Sequence, residues 1–508
     1  MTRKDFYAIG ILYLAMLLIF YPLFYTDYIF TDEAEQIWGM KPGTGFIMFL
    51  DDGRALTEWM LYPLFSAIDS IHDITYMRII SLVGWMICLP VWYWVFKRMV
   101  SNKPEYAYLP FFSSLYMVTS LPFLVSVQWA ACMQFFVAET CGLLAGVVLY
   151  NGIRLIDNKM RISVAPVAVA LLLGVATMFF YQSAVGCFMI PFLLHFINPN
   201  TTQKNKVLIT SLAFYMLVYG VYYILYRISL QVYHIPSINR NTIHIDVVDK
   251  IKWFFARPLE RSFRFSILTH EDSILSKWYF GLMLIGWTLL AFIRFGKANR
   301  LQAVTYLAAT MGVFFISYLP NMIVKEDFAS NRTMFALNIC VWLVCAEMFL
   351  HFVKDKLVMR VAITAIGLIF VFSARNNFNN VFLYPASQQT AILKNYIQQH
   401  YHPGIRSVHF IRPSEDFVAN KYQVYQSMDE FAIPITFAYW VPDPLCRQLV
   451  YEKTHNRKEA EQLEIKGWPD AASYARSGAT VDSTVLVVDV QAITNGIKPE
   501  PSNVAINE

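Results

Sequence analysis

Apolar runs without a single Asp, Glu, Lys or Arg recur along the chain; Phe6–Phe24, Ser163–Phe196 and Val207–Tyr226 are three of them. An α-helix rises about 1.5 Å per residue, so roughly 20 such residues cross a hydrocarbon core about 30 Å thick. The chain is therefore expected to fold as a mainly α polytopic membrane protein. Charged residues make up 15% and hydrophobic residues 56%, against a charged share of about 25% in a soluble domain. That balance leaves too little polar surface to cover a water-soluble globule. The 30 Tyr and 12 Trp, many near block ends, suit interfacial belts. The formal charge of +5 is no nucleic-acid signature, because Lys and Arg sit in short clusters between apolar blocks. Cys88, Cys132, Cys141, Cys187, Cys340 and Cys345 fall inside apolar blocks, and Cys446 stands alone in the tail. They read as small hydrophobes.

About eleven spans are predicted, over 6–24, 77–96, 106–125, 134–153, 164–180, 184–198, 207–226, 277–295, 301–320, 334–353 and 358–374. Met1-Thr2-Arg3-Lys4 leads straight into the first, which is too long for a signal-peptide core and reads as a retained span. Alternate connections carry the basic clusters Arg3, Lys4; Lys97, Arg98, Lys103; Arg154, Lys159, Arg161; Lys204, Lys206; Arg294, Lys297, Arg300; and Lys354, Lys356, Arg360. The positive-inside rule makes that side cytoplasmic. Ser163–Phe196 is too long for one span; two short ones hinged near Tyr181-Gln182-Ser183 keep the later clusters inside.

The other side then holds 25–76, 227–276 and the tail. Residues 1–375 form the membrane domain. Residues 376–508 form a small C-terminal α/β extracytoplasmic domain, with a helix at 387–400, a strand at 406–411, a helical stretch near 444–462 and a strand at 484–490. The last ten residues are expected to fray.

Acids are sparse, yet they gather just beyond the first span: Thr31-Asp32-Glu33-Ala34-Glu35, then Asp51-Asp52-Gly53-Arg54. A carboxylate at a membrane surface can take the proton of an attacking hydroxyl or hold a divalent cation, Mg or Mn, against a leaving phosphate. The alternative is that Thr31 or Asp32 caps a short helix with Glu33 and Glu35 in its first turn. Asp51, Asp52 and Arg54 either contact a phosphate, which a guanidinium grips bidentately, or form an Asp–Arg pair at a turn. An apolar stretch, Leu56 to Ile71, then runs along the surface.

A first span leading to an acidic pair, a long loop with two short helices and many further spans resembles the plan of the GT-C glycosyltransferases. More narrowly, the chain resembles the Gtr type II O-antigen glucosyltransferases. The likeness rests on Asp32-Glu33, on Gly53-Arg54-Ala-Leu-Thr-Glu-Trp-Met-Leu, and on Tyr181-Gln182-Ser183 between two spans; it covers roughly 6–375. That family more often has Asp-Asp where this chain has Asp32-Glu33, and the tail has no match in the family core. The resemblance implies transfer of a sugar from a polyprenyl-phosphate donor to a glycan or lipid-linked glycan acceptor at the outer face of a cell membrane. Asp32 or Glu33 would be the base.

Further polar residues sit at the same ends of the predicted spans. Glu139, costly in hydrocarbon, either lines the site or makes a structural hydrogen bond. Tyr181 and Gln182 bind sugar hydroxyls or form a hinge. Arg332, beside Lys325 and Asn331, meets the donor phosphate or snorkels. The 227–276 loop sets Arg240, Lys250, Lys252, Arg257, Arg261 and Arg264 among Trp253, Phe254, Phe255, Phe263 and Phe265, which suits an anionic lipid head or an aromatic surface anchor. His234 and His244 are too far apart to pair as ligands, and HExxH, P-loop and GxSxG motifs are missing from the sequence. Glu415, Asp416, Asp429 and Glu430 follow no chemical pattern. The rival functions are a flippase for lipid-linked glycans, which would more often carry charges at mid-membrane, and a membrane scaffold that presents the tail.

Overall fold

The computed structural model describes residues 1–99, 104–156, 159–198, 201, 203–235, 246–264, 267, 269–270, 273–296 and 300–496. Lys103, Arg240, His244, Phe265, Lys297 and the last ten residues lie outside that set. Helices dominate: α1 (Arg3–Phe20), α2 (Asp32–Gly39), α3 (Ala55–Ser66), α4 (Ile74–Met99), α5 (Leu109–Thr119), α6 (Leu121–Gln128), α7 (Phe135–Gly152), α8 (Val164–Phe180), α9 (Ile190–Ile197) and α10 (Lys204–Val232). They continue as α11 (Val247–Phe254), α12 (Glu260–Phe263), α13 (Ile274–Ala291), α14 (Arg300–Ser317), α15 (Leu319–Ile323), α16 (Phe335–Phe352), α17 (Lys356–Asn376) and α18 (Tyr384–His400). A hairpin of β1 (Ile153–Ile156) and β2 (Lys159–Ile162) joins α7 to α8.

Seven helical stretches among the described residues are long and apolar enough to cross a membrane: Arg3–Tyr25, Ile74–Met99, Ala130–Gly152, Lys204–Val232, Ile274–Phe295, Phe335–Phe352 and the apolar part of Lys356–His400. An eighth arises if α5 and α6, bent by 52°, count as one. The bend falls at Ser120-Leu121-Pro122, where Ser120 is extended and Pro122 opens the next helix. Three further predicted spans are shorter or more polar. Helix α8 stops at Phe180, Tyr181 is extended, and a 3₁₀ segment leads into α9. Helix α14 carries Arg300, Gln302, Thr305 and Thr310.

The bundle is apolar on both sides of its wall, as lipid requires. Leu14 and Leu17 of α1, Ile87 of α4, Ile224 and Ile228 of α10 and Phe372 of α17 are exposed, while α16 is the most enclosed span. Trp85 and Trp92 of α4 pack on Phe335 of α16 with ring centroids 5.6 and 5.7 Å apart. A capping box starts α1, with Thr2 donating to Asp5 Oδ2; Lys97 Nζ at 2.6 Å from the same carboxylate ties α1 to α4.

Helix α17 passes through a π-helical turn into α18 without a break, so the boundary expected at 375/376 lies within a continuous helix. The tail adds β3 (Ser407–Ile411), α19 (Phe417–Tyr422), α20 (Pro442–Thr454), α21 (Arg457–Glu461), β4 (Glu464–Trp468), α22 (Ala471–Arg476), β5 (Val485–Asp489) and α23 (Val490–Thr494). Its sheet has the order β4-β3-β5, both pairs parallel. Buried β3 takes the centre, as its uninterrupted burial requires. Strand β4, half exposed, had no hydrophobic run to announce it. The tail packs on the 25–76 segment: Gln448 donates to Asp69 O at 2.7 Å, Ile71 N to Glu452 at 2.7 Å, and Arg457 to Trp38 O at 2.7 Å.

Candidate functional site: a two-chambered cleft

Helix α2 decides which of the clustered acids reach open space. Neighbouring residues on a helix point about 100° apart, whereas i and i+3 share a face. Asp32 and Glu35 line a chamber of about 680 Å³, together with Asp51, Trp129, Arg332, Arg412, Asp429 and Trp440. Glu33 turns the other way and is fully buried. Its Oε2 accepts from Phe30 N at 2.8 Å and from Arg78, and its Oε1 accepts from Ala130 N at 2.6 Å. Burial pushes the Glu33 carboxyl up, against the opposing pull of Arg78 and the two N–H donors. Burial and the adjacent Asp32 charge push Glu35 up to about 7. Burial and the Asp52 charge raise Asp51 likewise.

A second chamber, of about 140 Å³, is lined by Asp52, Arg54, Tyr181, Gln182, Tyr222 and Tyr226 among others. The turn at Gly53 folds it. Tyr226 donates to Asp51 O at 2.8 Å and Tyr222 to Gly53 O at 3.1 Å. Gln182 Nε2 donates to Asp52 O at 2.6 Å and to the Tyr222 hydroxyl at 2.8 Å. Its Oε1 accepts from Arg54 Nε at 3.1 Å, and the guanidinium lies 5.0 Å over the Tyr181 ring. Arg54 thus has a cradle that fixes its plane. Tyr223, exposed on the lipid-facing side of α10 beside Ile224, closes the chamber's edge.

Glu326, Phe328 and Arg332 border both chambers, so the two adjoin along these side chains as the halves of one site. Arg332 sits 4.6 Å over Trp129 and 5.2 Å over Phe328, and donates to Asp429 at 2.9 Å. Burial works against its charge, yet Asp429 and Glu430 hold it more firmly protonated than usual. Glu430, fully buried, accepts from Asn331 N at 2.8 Å and Arg332 N at 3.0 Å. This tail carboxylate caps the turn that leads into α16. Burial and the Asp429 charge push it up to about 7.

Of the residues singled out in the sequence, Asp32, Asp51, Asp52, Arg54, Tyr181, Gln182 and Arg332 come together in the cleft. Glu33, Glu139 and Arg257 do not line it. Glu139 is buried in α7 and accepts from Cys187 Sγ at 2.8 Å. Arg257 is exposed, and its neighbour Arg261 instead donates to Ala329 O. Sequence reasoning gave Glu35 a place in a helix's first turn only and saw no pattern in Asp429, and it missed Trp129, Tyr222, Arg412 and Trp440. Their approach depends on contacts such as Trp440 Nε1 to Asp32 Oδ1 at 2.9 Å, which no local spacing signals. Among the described residues, no group of three His, Cys, Asp or Glu side chains is arranged to hold a metal ion. No family model matches this chain, and no curated protein matches it significantly.

Proposed function

We propose that this membrane protein is a GT-C-type glycosyltransferase, similar to the Gtr type II O-antigen glucosyltransferases. It would move a sugar from a polyprenyl-phosphate donor to a cell-surface glycan. In this reading the chain crosses the cell membrane eleven times, with the N-terminus cytoplasmic and the tail extracytoplasmic. The observation that carries the reading is a pair of adjoining chambers that share Arg332, with Asp32 in one and Arg54 in the other, the second ending beside the lipid-facing Tyr223 of α10. A lipid-linked phosphate needs guanidinium donors at a depth its chain can reach from the bilayer. An acceptor hydroxyl needs a carboxylate beside them and open to water.

Asp32 takes the acceptor proton as the acceptor oxygen forms its bond to the anomeric carbon. The bond from that carbon to the phosphate oxygen breaks, and polyprenyl phosphate leaves with the electron pair. Arg54 and Arg332 stabilise the charge that grows on the phosphate. Full-length protein in lipid nanodiscs, given a polyprenyl-phosphate hexose and cell-surface glycan, tests this. Wild type should transfer sugar and Asp32→Asn should not; equal transfer by both would remove Asp32 as the base.

A further inference from the structure

We infer that the tail segment Phe437–Trp440 forms the sugar platform for the acceptor, and that this acceptor is an uncharged or amino-bearing glycan rather than an acidic one. The inference deepens the transferase reading and rests on it. Tyr439 is 77% exposed and Trp440 40%, and their rings meet edge to face, 86° apart with centroids at 5.0 Å. Such exposure leaves large apolar faces in water, which is costly unless something covers them. A mobile loop tip would explain it, but this segment is fixed at both ends. Arg412 Nη1 donates to Phe437 O at 2.5 Å, and α20 begins at Pro442 and is bonded through Gln448 to Asp69 O.

The segment is also tied to the proposed base. Trp440 donates to Asp32 at 2.9 Å, so a sugar ring laid on these aromatics lies next to the carboxylate that must reach its hydroxyl. One face of a pyranose ring presents C–H groups and packs on an aromatic plane, while its hydroxyls need donors and acceptors. The chamber wall supplies both. Trp129 Nε1, Thr31 Oγ1 and Asp429 Oδ1 are buried there without a hydrogen-bond partner, and leaving such groups unmet is unfavourable.

Charge sets the class of glycan. The chamber is lined by Asp32, Glu35, Asp51, Glu326 and Asp429 against Arg332 and Arg412. Arg332 is paired with Asp429 and shared with the donor phosphate, and Arg412 donates to the Phe437 carbonyl, so carboxyls outnumber the guanidiniums left to an acceptor even though burial moves Glu35 and Asp51 toward their neutral forms. A carboxylated or sulfated glycan would meet like charge, whereas neutral sugars are tolerated and amino sugars are attracted.

The test is capture of full-length protein, in nanodiscs, on immobilised glycans that span neutral, amino-bearing, carboxylated and sulfated types. Wild type should be captured by neutral or amino-bearing glycans, and Tyr439→Ala and Trp440→Ala should each lose about tenfold in affinity. Trp440→Phe should keep most of it. Unchanged binding of a polyprenyl-phosphate hexose by the same variants would show that they are folded. Preference for acidic glycans, no capture by any type, or wild-type affinity in both alanine variants would overturn the inference. Capture needs no turnover, so glycan binding without transfer would sink the transferase reading alone. Transfer without aromatic-dependent capture would sink only the platform.

Discussion

With neither side chain exposed, the guanidinium of Arg78 closes on the carboxylate of Glu33 and lies 3.4 Å over the Tyr28 ring. The pair fixes the start of α2 to α4, and Ala130 N adds the loop before α7. Breaking a buried pair on one side strands the other charge, at a cost of about 3–5 kcal/mol. Glu33→Gln should therefore lower the melting temperature and the amount of protein in the membrane. Asp32→Asn keeps an acceptor for Trp440, so it should melt like wild type yet transfer no sugar. Melting curves of both variants in detergent check this; equal stability of Glu33→Gln and wild type would mean the pair contributes little.

The contrast between these neighbours shows what the sequence could reveal. Scarcity of acids made Asp32 and Glu33 conspicuous, and hydropathy located the long spans. Which acid faces the cleft depends on Arg78, which is distant in sequence, and adjacent positions look alike in any local pattern. The break at Tyr181 was legible because Ser163–Phe196 is too long for one span. The tail's share was hidden: Asp429 and Glu430 have ordinary sequence neighbours, and gain meaning only where Arg332 and Asn331 meet them.

Arg332 and Arg54 should matter for the donor, and Arg257 should not. Arg332 is stacked and ion-paired, and Arg54 is held flat by Gln182 and Tyr181; a lysine reproduces neither geometry. A charge-assisted hydrogen bond contributes about 1.5–3 kcal/mol, so Arg332→Lys and Arg54→Lys should each raise the apparent KM for a polyprenyl-phosphate hexose by roughly ten- to a hundredfold. Arg257→Lys, altered at an exposed site outside the cleft, should keep the wild-type value. A response from Arg257→Lys as large as the others would place the phosphate elsewhere.

Glu35 should make the protein less stable in alkali. Its carboxyl titrates near 7 when folded and near 4.5 when unfolded, so the folded state holds the extra proton between those values. Stability then falls as pH rises from about 4.5 to about 7 and changes no further on this account. Glu35→Gln removes the penalty. It should melt higher than wild type at pH 8, and the gap should close below pH 4.5. A gap that is constant across the range would show that Glu35 acts through packing and not through its charge.

Gly53 carries the donor chamber's geometry. Its φ of +76° favours glycine, and another residue there costs about 1–2 kcal/mol. A Cβ at this position would also lie 2.9 Å from Tyr226 Cδ2 and closer still to the Tyr222 hydroxyl. Both tyrosines would have to withdraw, Gln182 would lose its bond to Tyr222, and the cradle around Arg54 would loosen. Gly478 separates the two effects, because it has a φ of +62° but nothing within 4 Å of its Cβ position. Gly478→Ala should cost only the backbone strain and leave donor KM unchanged. Gly53→Ala should melt lower than Gly478→Ala and raise donor KM by about tenfold, the loss of one charge-assisted contact. If the two variants behave alike in both measurements, the tyrosine wall yields without consequence and Arg54 does not depend on it.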